Sequence, residues 1–309
     1  MRIKLVMKVI NNSKIKKKFK NSVIAIGNFD GLHLGHQRVI DQAKKKAKKN
    51  KTSFGLISFE PIPSMFFNKR LKNHRINLLK QKKEQLKKLN LDFLKIIKFS
   101  KKFSNTSAEK FIEKIIFNTF NAKYVFVSKN FRFGKKRLGN LKTLKNNEKK
   151  FNYKTIITAP LKRNGRVISS TLIRYKISSG KITEANSLLK RNWSVEGKVI
   201  KGKQRGRKIG FPTCNISMKN YITPKLGVYA VTVKFGDLQR KGIANIGYRP
   251  TFNGQNLLLE VNIFGIKKNL YNKIIEISFL KFLRAEKKFK GIKELKKQIK
   301  IDIIRAKNV

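Results

Sequence analysis

Glycines at 27, 31 and 35 punctuate the segment Gly27-Asn-Phe-Asp-Gly-Leu-His-Leu-Gly-His36, and His33 and His36 stand three apart around Gly35. Glycine lets a backbone turn tightly and approach a ligand closely. A short apolar run, Ser22–Ile26, precedes the segment and reads as a buried strand. Val39, Ala43 and Ala47 follow at helical spacing, with Ile40 beside them. Strand, loop and helix in that order set free N–H groups and the positive end of a helix dipole where a phosphate would bind. Imidazoles there can donate to a triphosphate and stabilise charge as pyrophosphate leaves. The plainer use of the pair is packing or capping, with metal binding a lesser alternative. His74, the remaining histidine, has no such context and reads as a surface residue.

A second constellation lies far along the chain. Gly202, Gly206 and Gly210 alternate with basic residues, Arg205 among them. Such a stretch can wrap phosphates with backbone N–H groups and cationic side chains, although a turn before a strand would need no more. Thr213 and Asn215 then put two hard oxygen ligands on the same side of an extended segment, which suits Mg²⁺ bridging the phosphates of ATP. Glu260 is an acid on an otherwise apolar strand, facing away from Leu259 and Val261. An exposed strand residue or an ion-pair partner is its plainer role. Cys214 points away from its neighbours as a small buried residue and, with no histidine near it, is not a nucleophile.

These residues need two kinds of scaffold. In the first half, strands at Phe54–Phe59, Phe93–Phe99, Tyr124–Val127 and Ile156–Thr158 alternate with helices at Lys80–Leu89 and Ser107–Phe117. That alternation argues a parallel α/β sheet. Ser170–Ser179 reads as its last helix, stopped by Gly180. Beyond it the period becomes two: Tyr229, Val231, Val233 and Phe235, then Leu257 to Ile263, then Ile275, Ile277 and Phe279. This predicts an antiparallel sheet or small barrel. Ile292, Leu295, Ile299 and Ile303 lie on one face of a closing helix. We place the domain boundary between 183 and 184.

The chain has 309 residues, with 40% hydrophobic and 10% aromatic, so it can bury real cores and is not a disordered chain. Its single cysteine excludes a disulfide framework and a Cys-based metal or iron–sulfur site, and fits a reducing cytosol. No apolar stretch of membrane-spanning length occurs, and the expectation is a cytoplasmic protein. The net charge of +59 attracts polyanions. Lysines spread along the whole chain together with Asn, Ile and Phe read rather as compositional drift. Lys44–Lys51 reads as a solvated helix face.

Taken together, the motifs resemble those of bacterial bifunctional riboflavin kinase/FMN adenylyltransferases (FAD synthetases), from about Ser22 to Ala306. The Gly27–His36 segment resembles the nucleotidyltransferase signature, and Phe59-Glu-Pro-Ile-Pro63 and Arg75-Ile-Asn-Leu78 follow in the family's order. Asn130-Phe-Arg-Phe-Gly134, continuing to Arg137 and Gly139, resembles the flavin-side loop; Ser169-Ser-Thr-Leu-Ile-Arg174 resembles the segment that contacts ATP phosphates. Arg205–Asn215, Lys241–Phe252, Leu258–Asn262 and Phe279–Arg284 resemble the riboflavin kinase module.

The resemblance implies an N-terminal Rossmann-like domain, residues 1–183, that adenylylates FMN to FAD. It implies a C-terminal barrel, residues 184–309, that phosphorylates riboflavin to FMN. It assigns catalysis to Glu260, as general base, and to His33, His36 and Arg174. ATP contacts fall to Gly27, Phe29, Asp30, Gly31, Gly35, Ser170, Thr171, Gly202, Arg205, Gly206 and Gly210. Flavin contacts fall to Asn130, Phe131, Arg132, Phe133 and Arg284, and Mg²⁺ to Thr213 and Asn215. ATP is the co-substrate of both steps; no membrane and no specific nucleic acid is implied as a partner. Three positions depart from the family pattern: Ile62 where His is usual, Ser128 where Gly is usual, and Asn140 where Asp is usual. These bear on the adenylyl step. A kinase-only enzyme, a flavin carrier without turnover and a basic RNA-binding protein on the same folds are the rival readings.

Overall fold

Val23–Ile26 (β2) is buried at every residue, as a strand covered on both faces must be. It lies inside a six-stranded parallel sheet with Lys8–Ile10 (β1), Phe54–Glu60 (β3), Phe93–Lys98 (β4), Tyr124–Ser128 (β5) and Lys154–Thr158 (β6), in the order β1-β4-β3-β2-β5-β6, and a short antiparallel ribbon of Lys162–Arg163 (β7) and Arg166–Val167 (β8) follows. The computed structural model describes residues 7–11, 15–71, 73–202, 204–251, 254–266 and 268–309. From β2 the chain builds outward through β3 and β4 on one side, then returns to place β5 and β6 on the other. The reversal opens a crevice at the carboxyl ends of β2 and β5, the place where open parallel sheets bind ligands.

The helix Leu34–Lys49 buries Val39, Ile40, Ala43 and Ala47 and leaves Lys44, Lys45, Lys48 and Lys49 in solvent. Lys46, Lys48 and Lys49 in its last turn meet the negative end of its dipole. The helix expected at Ser107–Phe117 starts on a Ser107 cap, then widens at Ile112–Thr119 into a π-helix. Its Ile112, Ile116 and preceding Phe111 pack into the same core as Phe93 and Phe120, whose rings stack at 5.2 Å. Strand β1 was not anticipated; three residues in a basic stretch carry too little periodicity to announce an edge strand.

The second compact unit joins residues 170–309 to a short earlier segment, 73–81. Ser194–Lys198 (β9), Cys214–Ser217 (β10), Gly227–Phe235 (β11), Leu238–Thr251 (β12), Gly254–Ile263 (β13) and Ile274–Arg284 (β14) form an antiparallel sheet ordered β10-β13-β12-β11-β14-β9. A bridge from Ile200 to Asn215, with the Ile200 N–H donating to the Asn215 carbonyl at 2.9 Å, brings its two edges together into a nearly closed barrel. Trp193, Tyr229 and Phe279 fill the interior, with Trp193 stacked on Phe279 at 4.7 Å.

Segment 73–81 is stitched to this unit. Arg75 pairs with Tyr221 in a parallel bridge, and Trp193 Nε1 donates to the Ile76 carbonyl at 2.9 Å. The Tyr221 hydroxyl donates to Gln81 Oε1 at 2.9 Å and accepts from the Glu196 N–H at 2.9 Å. Burial pushes that phenol well above its ordinary pKa. His74, expected at the surface, is half-buried within this segment.

The helix Ser170–Ser178 ends before Gly180, whose φ of 75° supplies the left-handed stop. The closing helix, Ile292–Lys307, turns its predicted face inward at Leu295, Ile299 and Ile303, which are half-buried, and Ile303 packs against the core. Asp302 and Ala306 are its buried residues, whereas Ile292 is 61% exposed. The carboxylate turns inward because Arg284 meets it through Nε and Nη2 at 2.9 and 2.7 Å, and Gln298 donates to it at 2.9 Å.

Candidate active sites

The Gly27–His36 loop leaves the end of β2 at the crevice where the sheet reverses. Gly27 continues the ladder by donating to the Ile57 carbonyl at 3.1 Å. Phe29, Gly31 and Leu32 then take φ of 49°, 80° and 43°. Two of these are side-chain-bearing residues in a conformation that costs of order 1–3 kcal/mol each. Both Phe29 and Leu32 are buried, so packing below the loop offsets the strain. Gln37 Nε2 closes the turn on the Leu32 carbonyl at 2.9 Å. Asp30 is buried as well.

His33 occupies the N-cap of the following helix, yet its side chain makes no capping hydrogen bond. Its ring stacks on that of His36, centroids 3.7 Å apart, and His36 meets Phe29 edge-on at 5.3 Å. Gly35 is required for this: a Cβ there would lie 3.0 Å from the Ile168 carbonyl oxygen and 3.1 Å from the His33 ring. A strained loop, two stacked imidazoles and a helix N-terminus thus converge at one strand end.

The flavin-side loop follows β5. Phe133 and Gly139 pair across it, exchanging N–H···O bonds of 3.0 and 2.9 Å. Gly134 and Gly139 both press on Ala108, where an added Cβ would come within 2.8 and 2.7 Å of its atoms. Phe131 stacks on the buried Phe133 at 5.3 Å. Beside them an open cavity of about 500 Å³ is lined by Lys129, Asn130, Phe131, Arg132, Arg137, Asn140, Leu141 and Lys142. One aromatic wall and four cations suit a planar ring carrying a phosphate. Asn140 caps the helix Leu141–Asn146, accepting from the Thr143 N–H at 3.1 Å, so the amide at this position still caps as an Asp would. Ile62 is buried and Ser128 exposed.

Ser170, Thr171 and Arg174 stand on the helix Ser170–Ser178, and Arg174 Nε donates to the His74 carbonyl at 2.8 Å. Both partners belong to the second unit.

The barrel gathers its site by strand register. Asn215 on β10 stands directly opposite Glu260 on β13, and Glu260 opposite Asn245 on β12. Opposed residues of neighbouring strands share a face with Cβ atoms about 4.5–5.5 Å apart. Glu260 alternates with the buried Leu259 and Val261 as expected. Above this row the chain closes tightly: a Cβ at Gly202 would lie 2.4 Å from Asn215 Nδ2, and one at Gly206 2.4 Å from the Phe211 carbonyl oxygen. Gly210 holds φ of 91°, and Asn262 Nδ2 pins the loop through the Pro212 carbonyl at 2.7 Å. The side chain of Arg205, like Phe252, lies outside the described residues. Cys214 is half-buried, and burial raises its thiol pKa. Arg284 is engaged by Asp302 and by the Ala285 carbonyl at 2.9 Å, with its guanidinium over Phe289 at 5.8 Å.

Two residues absent from the sequence-derived set stand at these sites. Asn245 completes the Asn215–Glu260 row; period-two alternation counted along β12 was the signal for it. Lys82 lies under the Gly27–His36 loop, and one lysine among many gave no signal.

A doubly wound parallel sheet with a glycine- and histidine-bearing loop at its reversal, together with a barrel holding Asn215, Glu260 and Asn245 in register, fits a two-site nucleotide-dependent transferase. Residues 15–172 match the FAD synthetase family and residues 189–309 the riboflavin kinase family. The chain is 40% identical over 302 residues, 96% of this chain and 97% of the other, to the bifunctional riboflavin kinase/FMN adenylyltransferase of Buchnera aphidicola subsp. Schizaphis graminum. It is 31% identical over 306 residues, 99% and 97% of the two chains, to that of Escherichia coli K12. A crystal structure of a macrolide-efflux protein from Streptococcus pneumoniae superposes with a TM-score of 0.86 at 29% identity, over 98% of this chain and 99% of that one. The chain belongs to the bifunctional riboflavin kinase/FMN adenylyltransferase family. Among the described residues no helix is long and apolar enough to cross a membrane.

Proposed function

We propose that the chain's two activities, riboflavin kinase and FMN adenylyltransferase, are carried by the two sites described above, phosphorylation in residues 184–309 and adenylylation in residues 1–183. In the barrel, Glu260 accepts the proton of the riboflavin 5′-hydroxyl as that oxygen attacks the γ-phosphorus of ATP and ADP departs. Asn245 and Asn215 flank the carboxylate and orient it. Thr213 and Asn215 would hold Mg²⁺. Gly202 leaves room against the Asn215 side chain, and Asn215 is buried beneath the loop. Among the described residues no group of three or more His, Cys, Asp or Glu could hold a metal, so phosphate oxygens and water would complete the shell. When bound, Mg²⁺ neutralises charge across the ATP phosphates.

In the sheet unit, the FMN phosphate attacks the α-phosphorus of a second ATP, and the α–β bridging oxygen leaves with pyrophosphate. Phe131 and Phe133 face the flavin, and Asn130 and Arg132 hold its polar groups. His33 and His36 donate to the leaving pyrophosphate, and Gly27, Phe29, Asp30, Gly31 and Gly35 shape the loop around the nucleotide. Ser170, Thr171 and Arg174 contribute to the phosphates through their motif, and Gly202, Arg205, Gly206 and Gly210 do the same in the barrel. Arg284 contributes to the flavin side of the kinase site. Little chemical activation is needed, so positioning and charge neutralisation supply the catalysis. A cytoplasmic enzyme fits the lone cysteine.

The observation that carries this reading is the stack of the buried His33 on the half-buried His36 at the point where the parallel sheet reverses. Purified protein given riboflavin and Mg·ATP should form FMN and then FAD, followed by chromatography of the flavins. FMN alone would confine activity to the barrel and indict Ile62, Ser128 or Asn140. Neither product, with RNA retained, would favour a basic binding protein.

A further inference from the structure

Lys82 is a lysine in a lysine-rich helix, yet only 2% of it is exposed. Its Nζ donates to the main-chain carbonyl of Asn28 at 3.0 Å and to Ser58 Oγ at 3.1 Å. Ser58 Oγ donates to the same carbonyl at 3.1 Å. Burying an ammonium is unfavourable unless it is well partnered, and a neutral side chain would fill the space without that penalty. The site of the burial gives the reason. Asn28 is the second residue of the strained phosphate-type loop. A peptide unit is planar and trans, so drawing the Asn28 carbonyl inward turns the Phe29 N–H the opposite way, away from Lys82. Phe29 itself sits at φ of 49°, a conformation that persists only where its surroundings over-determine it. A charge held in a poorly solvated place also acts at longer range than one in water.

We propose that Lys82 is a positioning residue for adenylyl transfer: its ammonium clamps the Asn28 carbonyl to keep the loop shaped for a triphosphate, and adds buried positive potential behind the departing pyrophosphate. The proposal rests on the reading of the Gly27–His36 loop as the adenylyl site. Ser58 acts with it as a neutral second clamp. Because the interaction strengthens as charge moves onto pyrophosphate, its loss falls on kcat more than on KM.

The test uses the full chain, whose kinase activity serves as an internal control of folding. In Lys82→Met, kcat for FAD from supplied FMN should fall about 10²-fold, comparable to loss of an oxyanion donor, with KM for ATP little changed and FMN formation from riboflavin intact. Lys82→Arg should recover at least about a tenth of the lost rate by restoring charge. FAD formation near the wild-type rate in Lys82→Met overturns the proposal, as does a loss confined to KM or accompanied by an equal loss of kinase activity. Should Lys82→Met fail to fold, Ser58→Ala carries the test: FAD formation must drop measurably with FMN formation kept, and an unchanged rate overturns the clamp. His36→Ala run in parallel separates the two readings. If it too leaves FAD formation intact, the loop is not the adenylyl site; if it alone abolishes FAD, only the role of Lys82 falls.

Discussion

The sheet unit and the barrel position their reacting groups by opposite means. In the first, the proposed site sits on a loop beyond a strand end, with two non-glycine residues at positive φ and packing beneath to hold them. In the second, Asn215, Glu260 and Asn245 occupy successive strands of one ladder, in conformations any β-strand adopts. A loop can wrap a phosphate with backbone N–H groups but must be braced. A ladder needs no brace, since a one-residue slip would also turn the barrel core outward. The barrel adds a loop over that row, where Gly202 packs close against the Asn215 amide.

Independence of the two sites is the sharpest claim in this contrast. Glu260→Gln should lower FMN formation by about 10³-fold, within the range for loss of a general base, and leave FAD formation from supplied FMN unchanged. Parallel loss of both rates would show that the sites do not work separately. His36→Ala should give the mirror image, a fall of about 10²-fold in FAD formation with FMN formation kept. Gly202→Ala probes the loop that the barrel adds. Its Cβ would sit 2.4 Å from the buried Asn215 amide, so kcat/KM of the kinase for ATP should fall on the order of tenfold, and the Mg²⁺ concentration needed should rise. A Gly202→Ala enzyme with normal Mg²⁺ dependence would remove Asn215 from the metal. The smallest effect belongs to Asn140: Asn140→Ala should cost about 1 kcal/mol of stability in denaturant melts, and Asn140→Asp only a few tenths.

The contrast also governs what could be read from the sequence. Glycine and histidine at fixed spacing between a strand and a helix signal a loop site directly, and Gly27 to His36 were legible for that reason. Glu260 stood out because an acid interrupts an apolar alternation. Asn245 has the same alternation, but its importance is a matter of which strand pairs with which, and pairing is decided by the whole barrel. Asp302 was invisible because an acid in a charged helix reads as solvent-facing; it sits buried beside the half-buried Ile299 and Ile303, where Arg284 pairs with it. Lys82 was hidden by composition, since among 75 Lys and Arg residues nothing local marks it as buried.

Segment 73–81 has a consequence for the order of synthesis. Ile76 must wait for Trp193, 117 residues later, and Gln81 for Tyr221, 140 residues later. At about 5–20 residues per second, a ribosome takes roughly 6 seconds to half a minute to supply those partners. During that interval Ile76, fully buried in the finished protein, travels uncovered in the nascent chain.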